Sequence, residues 1–406
     1  MIQTPLTSKR IVLGVTGSIA AYKAAELASK LTQAGALVDV VLTEAATRFV
    51  SPLTFQSVTG RPAYTDADLW GPQAHVLHVG LGRGAELFIV APASAHTLAK
   101  LASGSAGDLL SLTALAARCP LLIAPAMDGG MFDHPATQEN LRILADRGAT
   151  ILGPEMGHLA SGLSGIGRMT EPADLLAHAR FMLSRSGPLA GRKVVVTAGG
   201  TQEPLDPVRV LTNLSSGKQG YALAQAALDA GAEAILISAP TGLVAPAGAV
   251  LIPVRTAEEM RDAVTRTAHG AEALVMAAAV ADFRPQRAAG QKIKKEKGVP
   301  SLHLEPTPDI LAAVAERRKA EGRPRVVVGF AAETQDVVKN GQAKLRSKGL
   351  DLIVANDVSQ ADAGFGSDNN RVTVIDSTGQ VEELPLLAKA EVAQHVIARV
   401  AALLAA

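Results

Sequence analysis

The sequence predicts an α/β protein built as two doubly wound domains with parallel-rich sheets. Three observations predict it. Short buried apolar runs, each breaking at glycines or small residues, alternate with Ala-rich helical stretches. Strand–loop–helix–strand starts occur twice, at Ile11 and at Val194, in separate halves of the chain. The length, 406 residues, exceeds the roughly 250–300 that one core accommodates.

Residues 1–9 read as a loose arm. Ile11–Val15 is the first strand, Thr16-Gly17-Ser18 its exit, and a helix runs from Ile19 to about Ala34. Gly35 stops that helix, and Val38–Leu42 is the second strand. Gly71–Gly84 reads as polar and turn-rich, with His75 and His78. Leu87–Val90 and Leu121–Ala124 are strands whose exits, Ala91-Pro92-Ala93-Ser94 and Pro125-Ala126-Met127-Asp128, hold Pro and small residues where such sheets bind ligands. Taken singly, these are two ordinary strand exits. Gly153–Met169 is glycine-rich and lacks apolar periodicity, so it reads as a long loop. A helix follows from Glu171 to Arg185, and Ser186-Gly187-Pro188 marks the boundary between domains 1–187 and 188–406.

The second domain opens at Val194–Val196, breaks at Ala198-Gly199-Gly200, and passes through a loop rich in Pro and Asp. Ser215-Ser216-Gly217 then leads into a helix over Lys218–Ala230, and Ala234–Ile237 is the next strand. The glycines and the exposed amides at this helix start make an anion site, because unpaired N–H groups and the helix dipole both favour negative charge. The loop has neither a GxGxxG nor a GxxxxGK[ST] pattern, which argues against a dehydrogenase or P-loop enzyme; alone, it reads as an ordinary βαβ turn. Ala273–Met276 is a strand running into Ala277–Asp282, with the charge run Lys292–Lys297 soon after. Such a run is usually a solvated face, but its place past a strand exit makes a triphosphate clamp a serious competitor. Val326–Phe330 and Leu352–Asp357 are further strands, and Asp336–Ser347 is a helix with Lys344, Arg346 and Lys348 near its end. Asp362–Arg371 reads as a mobile polar loop. Glu391–Leu404 is an amphipathic closing helix with Val392, Val396, Ile397 and Val400 on one face.

Composition narrows the function. Aromatic residues make up only 3% against 48% hydrophobic, so the cores are aliphatic. Lys and Arg number 39 against 38 Asp and Glu, which excludes a broad nucleic-acid surface and makes any anion binding local. Cys119 is the only cysteine, so neither a disulfide framework nor a zinc cluster is available. No run approaches the ~20 apolar residues of a membrane span, and the start lacks a signal-peptide core. A cytoplasmic protein, without membrane or nucleic-acid partners, is expected.

Several short motifs in order then carry a resemblance over residues 9–400. EPLDPVR (203–209), NLSSGK (213–218), AAVADFR (278–284), KIKK (292–295), TPDI (307–310), GFAAET (329–334), ANDVS (355–359) and SDNN (367–370) fill the second half. TGSIAAYKA (16–24), PASA (92–95) and the PAM..GM stretch (125–131) stand in the first. Together they resemble the bifunctional coenzyme A biosynthesis proteins, a phosphopantothenoylcysteine decarboxylase fused to a phosphopantothenate–cysteine ligase. The resemblance implies two Rossmann-like domains: an N-terminal flavodoxin-like flavoprotein domain and a C-terminal nucleotide-binding ligase domain. It further implies ligation of 4'-phosphopantothenate to cysteine through an acyl-cytidylate, with CTP and Mg2+, and then FMN-dependent decarboxylation. Homo-oligomers are implied as well, with trimer-based flavodomain shells and ligase-domain dimers.

By motif, Lys292 resembles the lysine on the triphosphate. Asp282, Phe330, Lys344 and Lys348 resemble nucleotide contacts, and Met276, Ala277 and Ala278 with Pro308, Asp309 and Ile310 match the cytidine-binding segments. Asn213 resembles the residue orienting the acyl-cytidylate through its amide. Gly17, Ser18, Thr43 and Ser94 match the FMN site, and His78 rather than His75 aligns with the catalytic histidine. PASAN in many relatives is PASAH here, with His96. Two positions depart from the decarboxylase pattern: Asp128 replaces an asparagine, and Ser161 replaces a cysteine in the glycine-rich flap. An ionised Asp repels the substrate carboxylate, and a serine hydroxyl is a far weaker acid than a thiol of pKa ~8.5. The alternative to full bifunctionality is therefore an active ligase whose FMN-binding half is a decarboxylation-impaired assembly domain. A flavin-binding scaffold without catalysis is a third reading, opposed by KIKK, Asn213 and Asp282.

Overall fold

The computed structural model describes residues 4–71, 76–294, 301–333, 335–357 and 366–405. His75, Lys295, Glu296, Lys297, Thr334, Val358, Ser359 and the start of the polar loop at Asp362 lie outside them. The chain divides into two compact units, Met1–Leu183 and Ser184–Ala406.

In the first unit, β1 (Arg10–Val15), β2 (Leu37–Leu42), β3 (Ala63–Tyr64), β4 (Leu87–Ala93), β5 (Leu121–Pro125) and β6 (Thr150–Ile151) form one sheet in the order β3-β2-β1-β4-β5-β6. Every pairing is parallel. Alternate residues serve separate cores on its two faces: Ile11, Leu13, Leu87, Ile89 and Leu122 on one, Val12, Phe88, Val90 and Ile123 on the other. That period of two, apolar on both sides, is what a fully covered parallel sheet requires.

Two stretches of this unit differ from the sequence expectation. Leu77–Gly84, within the turn-rich segment, is a helix. Its glycines allow close packing: a Cβ on Gly82 would collide with the backbone at Thr113 and Ala117, at the end of the helix Leu109–Ala116. The long loop is instead an antiparallel hairpin, β7 (Glu155–His158) with β8 (Ser164–Arg168). Its strands carry too few apolar side chains to announce themselves. They are held by tertiary contacts, with Leu159 buried and Arg168 bonded to Glu171, which also takes Lys23 at 2.7 Å. The Lys23 bond, ahead of the opposing effect of burial, keeps the Glu171 carboxyl below its ordinary pKa.

The second unit holds β9 (Lys193–Ala198), a small ribbon of β10 (Gln202–Pro204) and β11 (Val210–Thr212), β12 (Glu233–Ser238), β13 (Val250–Pro253) and β14 (Ala273–Met276). A second ribbon pairs β15 (Phe283–Pro285) with β16 (Leu304–Pro306). Then come β17 (Val326–Glu333), β18 (Leu352–Asp357), β19 (Asn369–Asn370), β20 (Val372–Asp376), β21 (Val381–Glu383) and β22 (Leu387–Ala388). The main sheet runs β13-β12-β9-β14-β17-β18-β20-β21, parallel through β18 and antiparallel at β20 and β21. Part of the expected polar loop is ordered, since Asn369–Asn370 pairs with Leu387–Ala388.

Helices Ala257–Ala268, Ile310–Glu321 and Val337–Lys348 share one core with Val195, Leu274, Val327 and Ile353. Lys218–Asp229 and Lys389–Ala405 pack on each other and on the remaining face. The closing helix buries Val392, Val396, Ile397 and Val400, each stabilising by about 1.5–3 kcal/mol relative to exposure.

Candidate active sites

In both sheets the strand order reverses at one point, between β1 and β4 and between β9 and β14, and ligands of such sheets sit at the carboxyl ends there. In the first unit, Gly17 and Ser18 follow β1, Thr43 follows β2 and Ser94 follows β4, so the four stand at the ends of three adjacent strands. Buried Thr16 links two of these exits, donating to the Pro92 carbonyl at 2.7 Å and accepting from the Ser94 amide at 2.9 Å. Thr43 and Ser94 each cap a helix start, accepting from Ala46 N and Thr97 N at 3.3 Å. Three hydroxyls and two helix starts, with no carboxylate among them, suit a phosphate monoester.

Asp128 follows β5 and caps the turn Gly129–Phe132, its Oδ1 accepting from Gly130 N at 3.0 Å. Its Oδ2 accepts from the Ser161 hydroxyl at 2.9 Å. The two departures from the family pattern therefore form one hydrogen-bonded pair, from residues 33 positions apart. The hairpin bearing Ser161 lies against the β5 exit: Met127 N donates to the Gly167 carbonyl at 3.1 Å. Gly167, at φ +147°, has no room for a side chain beside the Met127 carbonyl. His78 sits in the first turn of the helix Leu77–Gly84, whose far end meets Arg10 at the start of β1, so the histidine lies toward the carboxyl edge of the sheet. Its Nδ1 is buried without a hydrogen-bond partner among the described residues. His96 is exposed on the helix Ala95–Ser103. A separate hollow of about 440 Å³, lined by Lys100, Arg118 and Cys119, lies at the opposite end of β5.

The second unit has a cleft of about 790 Å³. It gathers Asn213, Met276, Ala277, Ala278, Asp282, Pro308, Asp309, Ile310, Phe330, Lys344 and Lys348, residues drawn from five separate segments of the chain. The Ala277–Ala281 backbone is held from beneath by two buried hydroxyls: Ala278 N donates to Thr197 Oγ1 at 3.1 Å and Ala281 N to Thr201 Oγ1 at 2.9 Å. Asn213 Nδ2 donates to the carbonyls of Ala279 and Val280 at 3.2 and 3.3 Å. Asp309 caps the helix Ile310–Glu321 through Ala312 N at 3.0 Å and pairs with Lys348. Burial opposes ionisation of Asp309, but Lys348 and the cap outweigh it and lower its pKa. Gly217, at φ +77°, starts the helix Lys218–Asp229 without a side-chain cap, leaving its first-turn amides available.

Lys292 is not among the cleft-lining residues. It is exposed, in the excursion between β15 and β16, although its neighbour Ile293 is clamped. Ile293 N donates to buried Asp206 Oδ2 at 3.1 Å, and Arg209 Nη2 donates to the Ile293 carbonyl at 3.2 Å. Burial would raise the Asp206 pKa, but the amides of Val208, Ile293 and Arg209 and the Arg209 charge hold it below the usual carboxylate range.

Sequence reasoning did not single out Lys218, Asn356, Asn370 or Lys389, which also line the cleft. The first three lie inside motifs quoted above, which was the available signal. Lys389 carries none, being one more cation at the start of an amphipathic helix.

Two family models match the chain, Flavoprotein over residues 2–182 and the DNA/pantothenate metabolism flavoprotein C-terminal domain over residues 189–404. The chain is 46% identical to the coenzyme A biosynthesis bifunctional protein CoaBC of Bacillus subtilis, over 98% of each chain. Among solved structures, the C-terminal domain of a coenzyme A biosynthesis bifunctional protein CoaBC matches at 38% identity, covering 54% of this chain and 99% of that one, with a TM-score of 0.46. A PPC decarboxylase variant complexed with pantothenoylaminoethenethiol matches at 36% identity, covering 43% of this chain and 97% of that one, with a TM-score of 0.40.

Proposed function

The chain belongs to the bifunctional coenzyme A biosynthesis proteins, enzymes with ligase and decarboxylase activities, and from that premise we propose how its residues divide the work. The second unit joins 4'-phosphopantothenate to cysteine through an acyl-cytidylate, using CTP with Mg2+. The observation that carries this reading is the convergence of Asn213, Met276–Ala278, Asp282, Pro308–Ile310, Phe330, Lys344 and Lys348 on one cleft. A carboxylate is a poor electrophile, so the site must hold it in line with the α-phosphorus while cations offset the triphosphate. Asn213 orients the activated acyl group, and Lys292, steadied through Ile293, reaches the phosphates. Pyrophosphate release from CTP, required to depend on both phosphopantothenate and cysteine for full turnover, tests the reading.

One consequence concerns the clamp. Asp206→Asn keeps an acceptor for Val208 and Arg209 but turns an NH2 group toward Ile293 N–H, setting donor against donor. The KM for CTP is expected to rise about tenfold, from the 1–3 kcal/mol that an unsatisfied buried group costs. Because the folded pKa of Asp206 is depressed, the clamp holds above the ordinary carboxylate range and is lost only as pH falls through that lowered value. The wild-type KM should therefore be flat between pH 8 and 5 as far as this clamp governs it; a KM unchanged in the variant would remove Asp206 from the site.

The first unit decarboxylates the ligase product. Gly17, Ser18, Thr43 and Ser94 are the residues that would hold the phosphate of FMN, which when bound would supply the oxidising and reducing chemistry. Denaturing the purified chain should release FMN rather than FAD; a chain that stays colourless after FMN is added would refute this assignment. Ser161 and Asp128 hold the flap against the β5 exit, and His78 stands ready for proton transfer. An impaired assembly domain is not favoured, since the Ser161 hydroxyl and the Gly130 amide each engage one Asp128 oxygen and temper its repulsion of a substrate carboxylate. We further propose a cytoplasmic homo-oligomer, with flavodomain trimers and ligase-domain dimers and the boundary at 187/188, in keeping with the family resemblance.

A further inference from the structure

The ribbon of β10 and β11 touches three parts of the second unit, and one buried carboxylate sits at its middle. Its strands pair Gln202 with Thr212, Glu203 with Leu211 and Pro204 with Val210. At the base, Thr201 N donates to the Ala279 carbonyl at 3.2 Å and Thr201 Oγ1 accepts from Ala281 N. Asn213, one residue past β11, donates to the carbonyls of Ala279 and Val280. At the tip, the Leu205 carbonyl accepts from Ala289 N at 2.9 Å, and Asp206 accepts from Ile293 N beside Lys292. Two parts of the proposed ligase machinery, Asn213 and the clamp on Ile293, therefore ride on opposite ends of one short ribbon.

A two-stranded ribbon has little stability of its own. Within this chain, Glu203 is the one fully buried residue among the six of β10 and β11, at 2% exposure. An apolar side chain is the usual anchor at such a place, yet here it is a carboxylate without an ion-pair partner among the described residues. Its partner is a helix start: Oε1 accepts from Ala257 N, the first amide of the helix Ala257–Ala268, at 2.9 Å. The unpaired N–H groups and the dipole of that helix end stabilise negative charge. Thr256 caps the same turn through Glu259 N at 3.2 Å, and Gln202 N donates to the Arg255 carbonyl at 2.8 Å. Ribbon and helix start are thus joined at consecutive residues. Glu203 is absent from the cleft lining, so it reaches the reaction only through what the ribbon carries.

We propose that Glu203 is a positioning residue for ligation: its carboxylate pins the ribbon to the helix start at Ala257 and so sets the Asn213 amide and the Ile293 clamp of Lys292 together. The kinetic consequence rests on the ligase reading, whereas the pinning itself is measurable without substrate.

The test uses the full chain with Glu203→Leu, which fills the buried space without an acceptor, and Glu203→Gln, which keeps one. Glu203→Leu is expected to lower kcat for amide formation and to raise the KM for CTP, each about tenfold, and Glu203→Gln to recover most of both. The readout that a merely structural role would not move is the coupling. Added to Asn213→Ala, Glu203→Leu should lower kcat by less than about twofold further, and added to Asp206→Asn it should leave the KM for CTP where that variant puts it. Amide hydrogen exchange over residues 201–213 and 279–293, followed without substrate, should be about tenfold faster in Glu203→Leu and close to wild type in Glu203→Gln. Ala257→Pro keeps the test decisive if Glu203→Leu fails to fold. It removes the donor instead, at a first helical position that tolerates Pro and after Thr256 in extended backbone, and should reproduce the Leu effects. A folded Glu203→Leu or Ala257→Pro chain with wild-type kinetics and exchange, or a fully additive loss on Asn213→Ala, would overturn the proposal. A wild type that releases no pyrophosphate from CTP would overturn the ligase reading instead. Exchange alone would then judge the pinning, supported if it quickens in Glu203→Leu and overturned if it does not.

Discussion

Asn213→Asp is expected to reduce ligation by about three orders of magnitude while leaving decarboxylation of supplied phosphopantothenoylcysteine untouched. The wild-type amide donates to the Ala279 and Val280 carbonyls, on the backbone that also lines the cleft. A carboxylate in its place loses both bonds and sets its charge against two carbonyl oxygens. It also stands beside the acyl-phosphate in the proposed reaction. Two like charges ~4 Å apart at an effective dielectric constant near 20 repel by about 4 kcal/mol, or roughly a thousandfold. Asn213→Ala, which loses the bonds without adding charge, should fall only about tenfold. Following pyrophosphate release and amide formation separately tells which step Asn213 serves. Unchanged rates for both steps in the Asp variant would remove it from the reaction.

The second large effect belongs to the Asp128–Ser161 pair. Ser161→Ala should slow CO2 release by about 10- to 100-fold, because a hydrogen bond to a charged group contributes roughly 1.5–3 kcal/mol. Asp128→Ala should cost at least as much, since it removes the acceptor for Ser161 and the cap on Gly130 N together. The double Ala variant should be no slower than Asp128→Ala alone, because residues that act as one unit are non-additive. Pyrophosphate release by the ligase half is the internal control and should not change. Read apart, Asp128 and Ser161 look like two defects that Asn and Cys would repair. As a bonded pair they imply that Asp128→Asn with Ser161→Cys gains nothing over wild type. A Ser161→Ala enzyme at the full wild-type rate, or a large gain in the Asn/Cys double, would return the pair to being a handicap.

The sequence by itself determined the parallel strands at Ile11, Val38, Leu87, Leu121, Val194, Ala234, Ala273, Val326 and Leu352, and all nine are present. A strand buried on both faces must be apolar along its whole length, so its signal is local and strong. The closing helix was legible for a related reason, since its apolar stripe recurs at the helical period. Motif order also marked most of the cleft, because each cleft-lining segment is a short contiguous string.

Only the tertiary structure decided the rest. The helix bearing His78 and the flap hairpin bearing Ser161 are built from glycine-rich strings with weak local preference, and close backbone packing at Gly82 and Gly167 selects their conformations. Strands β20 and β21 join the sheet because β18 offers an edge, a fact that no window of residues contains. The pairing of Asp128 with Ser161, of Ile293 with Asp206, and of Lys218 with Asp368 each joins residues distant in sequence. Local propensity acts over a few residues, whereas the charge and hydrogen-bond partners that set a side chain's chemistry are brought together by the closed fold.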